Sequence, residues 1–150
     1  MKNSIEAIVI HEGRILLNLC SSGFGEYYAL PGGGQRDGET MFEAVTREVS
    51  EESGYAIQPL RLVGLFEKVS PLRGADDDCG HKIYFIAACK LLSINPDKPT
   101  EHDNCQIDSV WVNLRELPNI NLFPLALRDN ILAMYDSQDV IYIGSEKQRG

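Results

Sequence analysis

Residues 31–55 read PGGGQRDGETMFEAVTREVSEESGY. The second half of this stretch marks its own helix. Thr40 and Glu43 make a T-x-x-E capping box, and Gly54 stands where a left-handed residue ends a helix, so a helix is expected over residues 41–53. Before it, Pro31 stops the preceding segment. Gly32, Gly33 and Gly34 then give a loop without side chains, where main-chain groups can approach a phosphate or a metal closely.

On the helix, Glu48, Glu51 and Glu52 stand at i, i+3 and i+4 and share an arc of roughly 100°. Phe42, Val45 and Val49 fall beside that arc and form the stripe expected to dock on a sheet. The carboxylates therefore sit at the border between core and solvent. Like charges one turn apart destabilise a helix by a few tenths of a kcal/mol, and partial burial enlarges that cost. A divalent cation removes it. Mg²⁺ prefers such hard oxygens and takes one or two carboxylates together with waters and substrate phosphate oxygens. Arg47, one turn before Glu51, can hold a carboxylate in place. Alone, these charges would read as a solvated helix face; the glycine run immediately upstream turns them into a candidate site.

Outward from this stretch the chain reads as strands. Residues 5–11 and 14–19 form a hairpin about Glu12-Gly13, residues 21–26 a flexible loop containing Gly23 and Gly25, and residues 27–30 a short strand. Residues 60–69 and 82–92 are strands separated by a polar loop, 70–80, that carries Asp76, Asp77 and Asp78. A connection over residues 93–104 leads to a strand at 107–113, then to a turn of helix at 114–117 that Pro118 ends. A last helix is expected from Pro124 to about Tyr135 and an edge strand at 140–143. There is no internal repeat.

The chain has 150 residues and a mass of 16.7 kDa, the size of one domain, expected to span 1–150. With 43% hydrophobic and 24% charged residues it reads as a soluble globular protein. A net charge of −8 and a pI near 4.8 argue against nucleic-acid and anionic-membrane partners. The apolar run 5–10 is interrupted by Glu6, no stretch is long enough to span a bilayer, and a cytoplasmic location is expected. Cys20, Cys79, Cys89 and Cys105 show no CxxC spacing and are expected as free thiols; His81 near Cys79 does not complete a metal site.

Gly33, Glu39, Arg47-Glu48-Val49, Glu51-Glu52 and Gly54-Tyr55 together resemble a complete Nudix box over residues 33–55. Tyr55 departs from it, since the family usually has an aliphatic residue there, and is expected to affect packing. Less sharply, the resemblance extends to the hairpin, to Tyr27-Tyr28-Ala29-Leu30 before the glycines, and to Val110-Trp111-Val112 followed by Leu114-Arg115-Glu116-Leu117.

The resemblance implies an α/β fold, the family's α/β/α sandwich with a mixed β-sheet. It also implies Mg²⁺-dependent hydrolysis of the diphosphate linkage in a nucleoside diphosphate joined to another moiety. ADP-ribose or a nucleotide sugar would give a nucleoside monophosphate and a phosphorylated product. Two alternatives stay open: a nucleoside triphosphate pyrophosphohydrolase, and a nucleotide-sensing module, which would be expected to have lost box carboxylates. A homodimer is also left open.

Position by position, the resemblance makes Glu48 and Glu52 the main metal ligands and Glu51 a third ligand or the base. A carbonyl of Gly32 or Gly33 would complete the shell of Mg²⁺, or of Mn²⁺ in its place. Arg47 belongs to this catalytic group as an orienting partner, and Glu39 fixes the loop. Some members take their base from outside the box, for which Glu101, Asp103 and Asp108 are candidates. Pro71, 16 positions beyond Tyr55, lies near where a proline follows the box in members that prefer ADP-ribose. Aromatic residues that could wall a base pocket are Phe24, Tyr27 and Phe123, with Gly32, Gly33 and Gly34 on the phosphate side, whereas Tyr28 and Phe66 read as core.

Overall fold

The computed structural model describes residues 2–69, 81–94 and 105–147. Among the described residues, eight strands form one mixed sheet. They are β1 (Lys2–His11), β2 (Arg14–Ser22), β3 (Gly25–Ala29), β4 (Gly32–Gly33), β5 (Tyr55–Val69), β6 (His81–Ile94), β7 (Gln106–Asn113) and β8 (Ile141–Lys147). The main path runs β3-β2-β1-β6-β5-β8, with β4 on β1 and β7 on β2. The pairs β1·β6 and β5·β8 are parallel and the remaining pairs antiparallel. Helix α1 (Met41–Ser53) covers one face. A 3-10 helix (Leu114–Asn119), α2 (Leu125–Arg128) and α3 (Ile131–Asp136) cover the other.

The alternation of side chains along β1 builds both layers. Ile5, Ala7 and Val9 point toward α1 and pack with Ala44, Val45 and Val49, while Ile8 packs with Leu127, Ile131 and Met134 behind the sheet. This is the expected α/β/α sandwich. β1 pairs with β2 only at its far end, at Ile10↔Ile15 and His11↔Arg14. Nearer its start it pairs with β4 instead, Ile5↔Gly33 and Glu6↔Gly32, and the Ala7 N–H donates to the Pro31 carbonyl at 2.8 Å. The glycine run thus fills an opening in the sheet between β1 and β2.

Several local expectations change. Residues 21–26 are a tight hairpin rather than a flexible loop: β2 runs to Ser22, β3 begins at Gly25, and Ser22 Oγ accepts the Phe24 N–H at 3.2 Å. Gly32 and Gly33 are a short strand, and a Cβ on Gly32 would collide with the Ile5 carbonyl oxygen. β5 begins at Tyr55, passing Pro59 through a bulge. Pro118 does not end the 3-10 helix, which continues to Asn119. The last helix is two helices, broken at Asp129-Asn130, where Asn130 Nδ2 donates back to the Ala126 carbonyl at 2.7 Å; such side chains compete with the helical backbone. The edge strand reaches Lys147. Phe42 is exposed, and Ala44 takes its place in the buried stripe. Residues 70–80, expected as a loop, with Pro71, the three aspartates and Cys79, and also Glu101 and Asp103, lie outside the described residues. Among the described residues, no helix is long and apolar enough to cross a membrane.

Candidate active site

Both helix ends are as the sequence implies. The Glu43 N–H donates to Thr40 Oγ1 and the Thr40 N–H to Glu43 Oε1, each at 3.2 Å, and Gly54 is left-handed with φ 77°. Counting from Val45 and Val49, the helical period brings Glu52 into the middle of the apolar face, where it is 2% exposed. A buried carboxylate needs donors. Glu52 Oε1 accepts the Gly32 N–H at 2.9 Å, which fastens α1 to β4 through the opening in the sheet. The Glu52 carbonyl accepts from Ser109 Oγ at 3.0 Å and Gln106 Nε2 at 3.3 Å, so β7 holds the same turn from the other side.

Arg47 organises the other carboxylates. Nε and Nη2 donate to the two oxygens of Glu39 at 2.7 and 2.9 Å. Nη1 is shared between Glu48 Oε1 at 2.9 Å and Glu51 Oε2 at 3.3 Å, and Nη2 also reaches the Gly34 carbonyl at 3.1 Å. A guanidinium has five N–H donors, and these contacts occupy all of them within the protein. The Glu39 carboxyl is held down to about 2, chiefly by the Arg47 hydrogen bonds and then by the Arg36 N–H; Arg47 is correspondingly raised above its ordinary value, first by Glu39. The loop is pinned further by Gln35 Nε2 on the Glu39 carbonyl at 2.6 Å and Asn3 Nδ2 on Gln35 Oε1 at 2.9 Å. Arg36 remains outside, 3.9 Å from Glu51 Oε1.

Glu48, Glu51 and Glu52 thus present hard oxygens on adjoining turns, a donor chemistry that fits Mg²⁺ or Mn²⁺. Among the described residues, no three His, Cys, Asp or Glu side chains already converge as a metal cage. Arg47, Arg36 and the Gly32 N–H are among the groups that face these carboxylates. That suits an ion taking one or two carboxylates and completing its shell with water and substrate.

Beside this region lies a cavity of about 650 Å³ on the face opposite α1. Tyr27 and Phe123 form one wall, edge to face with centroids 5.9 Å apart, and Phe24, fully exposed at the hairpin tip, stands at its mouth. Phe66, although 2% exposed, closes the opposite wall with Tyr84, centroids 6.1 Å apart. Cys20, Cys105 and Tyr27 line it together; burial first, then Cys105, pushes the Cys20 thiol up to about 12, and Cys105 contributes most to raising the Tyr27 hydroxyl above its usual value. Gln106 lines the cavity too, with Nε2 on Asn18 Oδ1 at 3.2 Å and its buried Oε1 without a hydrogen-bond partner among the described residues. A second, more open groove of about 620 Å³ is lined by residues that include Asn3, Gly34, Gln35 and Phe85.

Of the residues singled out from the sequence, Gly32, Gly33, Gly34, Arg47, Glu48, Glu51 and Glu52 are brought together, and Phe24 and Tyr27 line the adjoining cavity. Asp108 stands apart: it is exposed, outside the cavity lining, and its Oδ1 accepts the Ser109 N–H at 2.8 Å. Sequence reading missed Gln106, Ser109 and Asn18, whose roles depend on strand register. It also missed Lys68 and Lys82 on the cavity wall.

The NUDIX domain model matches residues 4–133. The ADP-ribose pyrophosphatase of Methanocaldococcus jannaschii is 36% identical over 84 residues, covering 55% of this chain and 47% of that protein, so the match spans about half the relative's length. Among solved structures, a NUDIX hydrolase from Nitrosomonas europaea superposes with a TM-score of 0.65 at 20% identity, over 91% of this chain and 81% of that one. An ADP-ribose pyrophosphatase from Streptococcus suis gives 0.62 at 19% identity, over 97% and 98%. At these identities the structural likeness concerns the fold. The family model, the sandwich and the helix that carries the box lead to one conclusion: the chain belongs to the NUDIX domain family.

Proposed function

We propose that this chain hydrolyses the diphosphate linkage of a nucleoside diphosphate derivative, ADP-ribose or a nucleotide sugar, in a Mg²⁺-dependent reaction that yields a nucleoside monophosphate and a phosphorylated product. The observation that carries this reading is the Glu52 carboxylate buried against the Gly32 N–H beside a saturated Arg47. A buried acid on an apolar helix face is costly for a structural role alone. The name of the M. jannaschii relative supports ADP-ribose as the first substrate to try.

In this reading Glu48 and Glu52 would hold Mg²⁺, or Mn²⁺, with a Gly32 carbonyl, and Glu51 is the base rather than a third ligand. When bound, the cation neutralises the diphosphate and lowers the pKa of a water. Glu51, at 25% side-chain exposure the most open of the cluster apart from Arg36, takes the proton of the attacking water. Arg47 has no free donor for phosphate and serves by positioning Glu48 and Glu51. The cavity between Tyr27 and Tyr84 takes the nucleoside or sugar.

The test is a Mg²⁺-supplemented panel of ADP-ribose, nucleotide sugars and nucleoside triphosphates with product analysis. Release of a nucleoside monophosphate and a sugar phosphate is expected. Inorganic pyrophosphate from triphosphates alone would move the assignment to a triphosphate pyrophosphohydrolase, and binding without turnover to a nucleotide sensor.

A further inference from the structure

Lys68 and Lys82 are register partners across β5 and β6, so their side chains leave the same face of the sheet, and both line the cavity. Each is half-buried, and among the described residues neither has an ion-pair partner. Lys82 Nζ lies 5.1 Å from the centroid of the Tyr84 ring. Glu146 is the register partner of Lys68 on β8 and lines the same cavity, but it is exposed and makes no ion pair with either lysine. On the other side Lys82 faces Lys2 across β1. Like charges placed directly opposite one another destabilise a sheet, and a chain of net charge −8 has no general need of them there.

The pair stands in line with the diphosphate end. Gly32 is the register partner of Glu6, Glu6 of Ile86, and Lys82 lies four residues before Ile86 on the same strand, roughly 13 Å away at the rise of a β-strand. Tyr84 stands between, its ring against Phe66. A ligand anchored near Gly32 would lay a ring across Tyr84 and reach the lysines with its far end.

We propose that Lys68 and Lys82 form an anion subsite that binds a phosphate monoester carried on the part of the substrate remote from the hydrolysed linkage. The inference rests on the reading of the chain as a nucleoside diphosphate hydrolase and narrows its substrate class to derivatives with this additional phosphate. Ammonium groups on flexible stems suit a phosphate as point charges and impose no planar geometry on it.

Calorimetry with Ca²⁺ in place of Mg²⁺ tests it on the intact protein. The ligands are ADP-ribose and its two singly phosphorylated forms, one with the phosphate on the adenosine ribose and one with it on the terminal ribose. At least one phosphorylated form is expected to bind about tenfold tighter than ADP-ribose, the size of a single charge-assisted contact. In the Lys68→Gln/Lys82→Gln double variant the ratio of the two affinities falls to within about twofold, whatever the change in ADP-ribose binding itself. The variant should melt no lower than the wild type, because it loses a like-charge repulsion. No gain in the wild type, a gain that survives in the variant, or no binding of any of the three would overturn the proposal. Failure to hydrolyse ADP-ribose with normal binding discrimination would instead strike at the reaction and leave the subsite supported.

Discussion

The carboxylate of Glu48 lies against the α-carbon of Gly33: a Cβ built on Gly33 would stand 2.5 Å from the Glu48 carboxyl carbon and 2.7 Å from each of its oxygens. Gly33→Ala must therefore push Glu48 off Arg47 Nη1 or move the short strand it belongs to. Turnover is expected to fall by about 10- to 100-fold with a weakened Mg²⁺ dependence, the scale on which a misdirected ligand acts. A metal titration of the rate, beside a circular dichroism spectrum that shows the fold retained, checks this; an unchanged half-saturating Mg²⁺ concentration would sink the assignment of Glu48 as a ligand.

Glu39 gives a pH signature. Its carboxyl is lowered in the folded chain from 4.5 to about 2, first by Arg47 and then by the Arg36 N–H. A depressed acid stabilises the fold fully above its unfolded pKa and loses that contribution as pH falls through the folded one. The melting temperatures of wild type and Glu39→Gln should therefore differ by a constant amount near neutral pH and converge as pH is lowered from 4.5 toward 2. A difference that does not depend on pH would show that the Arg47 pair contributes nothing through ionisation.

Glu52→Gln separates charge from hydrogen bonding. The amide oxygen can still accept the Gly32 N–H, so the tie between α1 and β4 persists and the protein should fold with a near-normal melting temperature. Turnover should drop by several orders of magnitude, because the charge is gone from the donor set. A variant with near-normal turnover would remove Glu52 from the metal site.

How far this site could be read in advance depends on the range of the interactions that build it. The ends of α1 were legible because a capping box and a left-handed glycine act within a few residues, and the arc of carboxylates because the helical period is fixed. The burial of Glu52 was not, since it depends on Gly32 twenty residues earlier filling an opening in the sheet. Phe42 and Ala44 exchanged roles for a related reason: which flank of an apolar stripe is covered is decided by the sheet beneath it. Lys68 and Lys82 face one another only through the register of β5 on β6, which includes bulges that composition does not reveal. Asp108 was a candidate by resemblance alone, yet it is exposed and outside the cavity lining.

Tyr55 turns the one departure from the box pattern into a packing contact. Its hydroxyl accepts the Trp111 Nε1–H at 2.9 Å, and the rings meet edge to face with centroids 5.4 Å apart. Tyr55→Phe keeps the ring contact and removes the acceptor, so a loss of about 1 kcal/mol is expected in denaturant unfolding, with turnover unchanged. The doubly substituted Tyr55→Phe/Trp111→Phe chain tests the pairing: if Tyr55→Phe costs as much in the Trp111→Phe background as in the wild type, the hydrogen bond is not the cause.

The cysteines offer a measure of cavity occupancy that does not depend on turnover. Burial pushes the Cys89 thiol up to about 12, and Cys20 is raised to about the same value, first by burial and then by Cys105. Both should be slow toward an alkylating reagent near pH 8, since the thiolate is the reactive form. Cys105 is less buried and lines the cavity with Tyr27, so among these three it should react first in a peptide-mapping time course. A nucleotide seated between Tyr27 and Tyr84 would cover it. ADP-ribose with Ca²⁺ is therefore expected to slow labelling of Cys105 while leaving Cys89 unaffected, and equal protection of both would indicate a general stiffening of the fold rather than a ligand in this cavity.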